Sequence, residues 1–367
     1  MTYLHALSTA VPEAALTMTR AAELLCATTT DPRMARRIAR LLPHTGIERR
    51  HLAVMETQPN LDDPEGLYQR AVRQPNGPGM DARSAAFAGA ADRLVARLLA
   101  PLHDDELTQA SALVTVSCTH ASSPGLERAV FAHSPVAHHV QRWNLGFMGC
   151  SAALAALRLA SGPAASGATL SVMCELSSLH FQYSADLEQL TANLLFADGA
   201  AAVLTHPAPS PVRLIHAACA ALPAHADQMV WWAGDFGLRL ALSPQLPATL
   251  AAHLPAAVQR TLRAAELEPG AVDHWLVHPG GPQILDVVEE SLSLAPGALA
   301  LSRGVLRRYG NMSSPTILFI LRAAIEAGLT GRVMLLAFGP GLTIESALVE
   351  ITDSAGVILR GPDVAVG

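Results

Sequence analysis

The feature that most constrains the fold of this chain is an order of elements that runs twice. A Pro-rich break, HPAPSP (His206–Pro211), separates two passes of buried strand and helix. Before the break, residues 3–12 read as a strand running into a Pro turn, and residues 19–41 read as helical. Asp81–Leu99 reads as a long amphipathic helix with Asp81 as its cap. Ala112–Cys118 and Thr169–Cys174 read as strands, with helices through Ala132 and after Cys150. Leu194–Thr205 is either a strand pair about its Asp-Gly or a passage from helix to strand. After the break, Val212–Ala217, Trp275–His278, Val333–Phe338 and Thr343–Ile351 read as strands. Ala248–Leu267, Gln283–Leu292 and Thr316–Ala327 read as helices, the last started by serine caps and a proline. Such alternation predicts a layered α/β architecture with mostly central strands. The halves are 1–206 and 207–367. A chain of 367 residues that is 50% hydrophobic can build one double-sized domain or two fused ones.

Charge and cysteine usage narrow the functions. The formal net charge of −6 argues against nucleic-acid binding. No apolar run is long enough for a membrane span, and the opening MTYLHALSTAVPE lacks the pattern of a secretory signal. Five cysteines at irregular spacing, none in a CxxC pair, suggest neither a zinc site nor a disulfide framework. A reducing cytoplasm is the expected location. There is no lysine, so all 25 basic residues are arginines and Schiff-base chemistry is excluded. The densest basic segment holds Arg33, Arg36, Arg37 and Arg40, followed by Arg49 and Arg50. It reads either as a solvated helix face or as an anion site for a phosphorylated carrier such as coenzyme A.

Chemistry is expected in WNLGFMGCSAALAALRL (Trp143–Leu159). Gly149 permits a sharp turn before Cys150, and an alanine- and leucine-rich helix follows. A cysteine at a helix N-terminus is favoured as thiolate, with a lowered pKa. A buried structural cysteine is the competing reading. His278 closes a strand before a Gly-Gly turn, and Asn311 precedes a helix. Taken singly, each is also an ordinary core or turn residue.

Their surroundings distinguish these readings. HPGGPQILD (His278–Asp286), YGNMSSPTILFIL (Tyr309–Leu321) and FGPGLTIE (Phe338–Glu345) closely resemble motifs of the type III polyketide synthases, the chalcone synthase family. GFMGCSAAL (Gly146–Leu154) resembles the family's nucleophile segment, and LFADGAAA (Leu195–Ala202) its LFGDGAA segment. The motifs stand in the family's order, and the resemblance runs from about residue 3 to residue 351. It implies a thiolase fold, two similar βαβαβαββ halves in a five-layered αβαβα arrangement, as a homodimer. Cys150 would carry the acyl starter as a thioester, paired with His278 as thiolate. His278 and Asn311 would bind the malonyl thioester carbonyl and stabilise first the enolate and then the oxyanion. Phe196 would stand where the acyl tunnel meets the cavity. Gly339, Pro340 and Gly341 would shape the cavity floor, and Ser313 and Thr119 would line it. Acyl-CoA and malonyl-CoA would be the substrates, with no metal or redox cofactor.

Departures from the family pattern bear on the product. Ser123 stands where a methionine usually reaches across the dimer, and Leu240 where plant members have a second gatekeeping phenylalanine. Trp231 replaces a residue that is often glycine, and His180 aligns near a cavity threonine. The resemblance also implies coenzyme A contacts at Arg49, Arg50 and Gly280. The usual lysines there are absent, which leaves room for an acyl carrier protein as donor. The competing functions are a single-condensation ketosynthase of the starter-type β-ketoacyl or pyrone-forming kind, and a non-catalytic partner subunit.

Overall fold

A computed structural model describes residues 1–28, 31–70, 72–120, 122–162, 167–184, 186–353 and 358–360. Strand β1 (Thr2–Ala10) opens the chain, followed by β2 (Ala15–Thr17), α1 (Met18–Ala27) and α2 (Pro32–Leu41). Next come β3 (Arg49–His51), α3 (Val54–Thr57), α4 (Met80–Leu99), α5 (Asp104–Leu107), β4 (Ala110–Ser117) and α6 (Glu127–His133). The first half ends with β5 (Gln141–Gly146), α7 (Ala152–Ala160), β6 (Ala168–Leu176), α8 (Leu187–Leu195) and β7 (Asp198–His206). The second half opens with β8 (Val212–Ala221), β9 (Met229–Gly234), β10 (Gly237–Leu242), α9 (Leu246–Ala264), β11 (His274–Val277) and α10 (Pro282–Ser291). It closes with α11 (Ala300–Tyr309), α12 (Thr316–Glu326), β12 (Gly331–Gly339), β13 (Thr343–Ile351) and β14 (Ile358–Arg360).

The long strands run β11-β12-β13-β8-β1-β7-β6-β4-β5, with β14 beside β1. The halves join where Thr2–Leu4 of β1 pairs antiparallel with Val212–Leu214 of β8. Side chains alternate between two faces, as a strand demands. Val333, Leu335 and Ala337 of β12 face a core shared with α7 and α12, while Met334, Leu336 and Phe338 face α9 and α10. On β7, Ala201 and Val203 face that shared core, and Ala200, Ala202 and Leu204 face α4. The layers are therefore α4, first sheet, α7 with α12, second sheet, α9 with α10. This explains two otherwise odd helices. Ala152–Leu157 of α7 and Thr316–Ile325 of α12 are buried all round, as a helix between two sheets must be.

The chain corrects several sequence expectations. Residues 19–41 form two helices, because Asp31 caps the second by accepting the Arg33 N–H and Pro32 sits in its first turn. Gly79, not Asp81, is the N-cap of α4, and Asp81 lies inside its first turn. No serine side chain caps α12, whose N-cap is Pro315. Residues 194–205 are a helix-to-strand passage. Strand β5 was not expected. It is an edge strand whose side chains are mostly exposed, so it lacks a buried strand's apolar run. Among the described residues, no helix is long and apolar enough to cross a membrane.

Candidate active site

Both halves contribute to one cavity of about 810 Å³, whose lining includes Cys118, Thr119, Cys150, His278, Asn311 and Ser313. Cys150 lies in a single 3-10 turn, Gly149–Ser151, that leads directly into α7. Gly149 has φ +63°, and a Cβ there would run into the Pro340 ring. Glycine alone satisfies both the turn and that close approach. Gly339 is equally closed to a side chain, since a Cβ would meet Ser151 Oγ and the Met148 carbonyl. Of the Gly-Pro-Gly loop, Pro340 lines the cavity and the glycines set its path.

His278 follows β11, and its N–H donates to the Leu336 carbonyl at 2.8 Å. Its ring is 1% exposed, and neither ring nitrogen has a hydrogen-bond partner. Asn311 donates its N–H to the Leu195 carbonyl (3.0 Å) and accepts the Ala197 N–H (2.8 Å). These bonds join the GNMSS segment to the LFADG segment across the halves. Asn311 Oδ1 accepts the Ser313 N–H at 2.8 Å. A backbone N–H can only donate, so the amide's orientation is fixed and Nδ2 is the atom left to donate elsewhere. The Cys150 thiol donates to the same Oδ1 at 3.9 Å, and Ser313 lines the cavity with it. Ser313 holds φ +58°, a conformation that non-glycine residues adopt mainly where the surroundings impose it.

The electrostatics bear on the expectation that Cys150 rests as thiolate. Burial, with a smaller push from the Glu175 charge, raises the Cys150 thiol to about 11, against the lowering bonds of Ser313 and Asn311. Burial alone lowers His278 to about 3. Burial thus disfavours the charged form of each group, against the pull of the helix N-terminus on the sulfur.

Phe196 and Trp231 stand edge-to-face at 5.8 Å, and with Leu240 and Ser177 they line both this cavity and a smaller apolar one of about 110 Å³. His180 lines the smaller cavity only, where its Nε2 bonds the Thr119 carbonyl at 2.8 Å. Gly280 lines the main cavity. Ser123 is exposed and lines neither cavity of its own chain. Arg49 and Arg50 diverge, as neighbours on a strand must. Arg49 is exposed, whereas Arg50 is 4% exposed and turns inward, donating to the Asn193 carbonyl (2.8 Å) and the Phe196 carbonyl (2.6 Å). Arg50 therefore lines the smaller cavity and not the main one. Cys118 and Glu175 also belong to the surroundings of the site. Cys118 Sγ accepts the Gly149 N–H at 3.0 Å. The signal for Glu175 was a single acid in the otherwise apolar strand SVMCEL.

Comparison with known proteins agrees with this architecture. The family model of chalcone and stilbene synthases, C-terminal domain, matches residues 213–352, and that of FAE1/type III polyketide synthase-like proteins matches residues 71–213. The chain is 34% identical over 262 residues to the 3,5-dihydroxyphenylacetyl-CoA synthase of Streptomyces toyocaensis, covering 67% of each chain. The enzyme of the same name from Amycolatopsis orientalis is 32% identical over 249 residues, covering 65% of this chain and 67% of that one. Among solved structures, 1,3,6,8-tetrahydroxynaphthalene synthase from Streptomyces coelicolor A3(2) superposes with a TM-score of 0.80 at 27% identity, covering 95% of this chain and 99% of that one. PKS-I from the brown alga Ectocarpus siliculosus gives 0.83 at 25%, covering 95% and 98%. The chain belongs to the type III polyketide synthases, the chalcone and stilbene synthase family. It is an acyltransferase of thiolase fold that extends an acyl starter with malonyl units.

Proposed function

We propose that Cys150 is the nucleophile, that His278 and Asn311 bind the reacting thioester carbonyl, and that the product is a cyclised phenol. The observation that carries this is the meeting of all three residues on one cavity, with neither His278 ring nitrogen bonded within the protein. A buried polar group without a partner is costly, and here a ligand carbonyl would relieve that cost. When a coenzyme A thioester docks, the Cys150 proton passes to the neutral His278 imidazole as the sulfur attacks the acyl carbonyl. Coenzyme A leaves as thiolate, which solvent protonates, and His278 keeps the proton taken from Cys150. Malonyl-CoA then places its thioester oxygen between His278 Nε2–H and Asn311 Nδ2–H. As carbon dioxide leaves, the two donors stabilise the enolate, whose carbon attacks the Cys150 thioester carbonyl. The carbon–sulfur bond breaks, Cys150 is released as thiolate, and the lengthened chain remains on coenzyme A, from which the thiolate takes it for the next round. Loss of one such donor costs on the order of 10²–10³ in rate.

The relatives' name supports a phenolic product. The cavity's volume supports several extensions over the single condensation of a β-ketoacyl or pyrone-forming ketosynthase. The coenzyme A phosphates would meet the exposed arginines of α2, which ends beside the mouth residues Leu41, His44 and Thr45. A coenzyme A thioester, and not an acyl carrier protein, is thus the proposed donor, with no further cofactor. A second copy would add at the free edge strand β5 and place Ser123 near the partner. The seam at residues 206–207 is read as a repeat boundary inside one body. A Cys150→Ala variant incubated with malonyl-CoA and a panel of acyl-CoAs is expected to give no extended product by mass spectrometry. Unchanged condensation would remove Cys150 from its role.

A further inference from the structure

The fully buried carboxylate of Glu175, on β6, lies beneath the site but lines neither cavity. It accepts four donors from two separate segments. The Cys118 N–H (3.0 Å), Thr119 N–H (3.2 Å) and Thr119 hydroxyl (2.9 Å) come from the loop after β4. The Ser314 hydroxyl (2.9 Å) comes from the loop before α12. Each segment then touches the reacting atoms at one remove. Cys118 Sγ takes the N–H of Gly149, the residue before Cys150. Ser314 adjoins Ser313, whose N–H fixes Asn311 Oδ1, the atom that also accepts the Cys150 thiol.

We propose that Glu175 is a positioning residue for the condensation, a charged clamp that holds the Cys118–Thr119 loop to the Ser313–Ser314 loop and so sets the placement of Asn311 and the Cys150 sulfur. Four hydrogen bonds to one carboxylate are consistent with an ionised group, because charged acceptors make the stronger bonds. The same charge opposes ionisation of the thiols around it. These are Cys118 on the β4 loop, Cys150 on the nucleophile turn, and Cys174 on its own strand, which also feels Asp198 of β7. The clamp therefore holds geometry at the expense of thiol acidity, and the two effects separate in one variant.

This rests on the reading of Cys150 as nucleophile, which Cys150→Ala tests by itself. Glu175→Gln keeps the shape but removes the charge and sets an amide NH₂ against donors. Its condensation rate is expected to fall about 10–100-fold, the range typical when donors are misplaced by a fraction of an ångström. Alkylation of Cys150 by iodoacetamide, assigned by peptide mass, is expected to move the opposite way, its pH midpoint dropping by about one unit as the charge is removed. A residue that merely supported the fold would lower both rates and leave the midpoint in place. Ser314→Ala keeps the charge and removes one tie. It is expected to slow condensation about tenfold, with the alkylation midpoint unmoved. If Glu175→Gln condenses at the wild-type rate with an unchanged midpoint, the proposal fails. If that variant does not fold, wild-type turnover in Ser314→Ala has the same force.

Discussion

At the scale of single residues, the decisive balance is at Cys150. Its place before α7 favours thiolate, whereas burial pushes the thiol up to about 11. Desolvation acts on the whole charge, whereas a helix end contributes only about 0.3–2 kcal/mol. Gly149 is the residue on which this arrangement depends most sharply. Alanine at 149 would sit at φ +63° with its Cβ against Pro340. The left-handed conformation alone costs roughly 1–2 kcal/mol, and relief of the contact would shift Cys150 away from Asn311. Gly149→Ala should lower stability by about that amount in a urea melt and cut condensation by roughly 10²-fold. Wild-type turnover in a stable Gly149→Ala protein would show that Pro340 and the nucleophile turn are not in register.

At the scale of elements, the sequence was most legible where a scaffold presents its ends. Cys150 before a helix, His278 after a strand and Asn311 before a helix all stood at positions that local pattern identifies, and the structure brings them to one cavity. What was not legible depended on direction and burial. Arg49 and Arg50 look equivalent as letters, but alternate faces of β3 send one to solvent and the other inward. His180 likewise aligned with the main cavity and lies in the neighbouring one, because the turn Ser177–His180 points it toward the Thr119 carbonyl. Strand β5 escaped notice because an edge strand carries no apolar run. The inward direction of Arg50 has a direct test. Arg50→Gln leaves the Asn193 and Phe196 carbonyls short of a charged donor, at a cost of about 2–3 kcal/mol. The malonyl-CoA KM should stay within about twofold, because Arg50 lies away from the mouth. Replacing Arg36 and Arg40 on α2 should raise that KM with little change in stability. A raised KM in Arg50→Gln alone would restore the sequence-based assignment.

At the scale of the molecule, joining two halves about α7 and α12 buries titratable groups that must change protonation when the chain unfolds. His278 and His180 are lowered by burial to about 3 and about 4 from an ordinary 6.5. Below pH 6.5 the unfolded chain binds two protons that the native state refuses, and native stability falls with acidification. Glu175 and Asp198 act oppositely. Burial raises them to about 7 and about 6 from 4.5 and 3.8, so the native state binds their protons first. Stability from these two increases as pH drops through their native values. Between about pH 6 and 4.5 the pairs offset, and below 4.5 Asp198 still offsets one histidine until His180 itself titrates at about 4. These groups give wild-type stability little slope from about pH 6 to 4.5 and a shallow loss below it. His180→Gln unbalances the window. One native-state penalty is gone, while both raised carboxylates remain. Compared with wild type, the variant should gain about 2 kcal/mol on going from pH 7.5 to pH 5, at roughly 1.4 kcal/mol per unit below 6.5. Urea melts of both proteins at the two pH values measure that difference directly. Parallel shifts in the two proteins would mean that His180 titrates alike in the folded and unfolded chain.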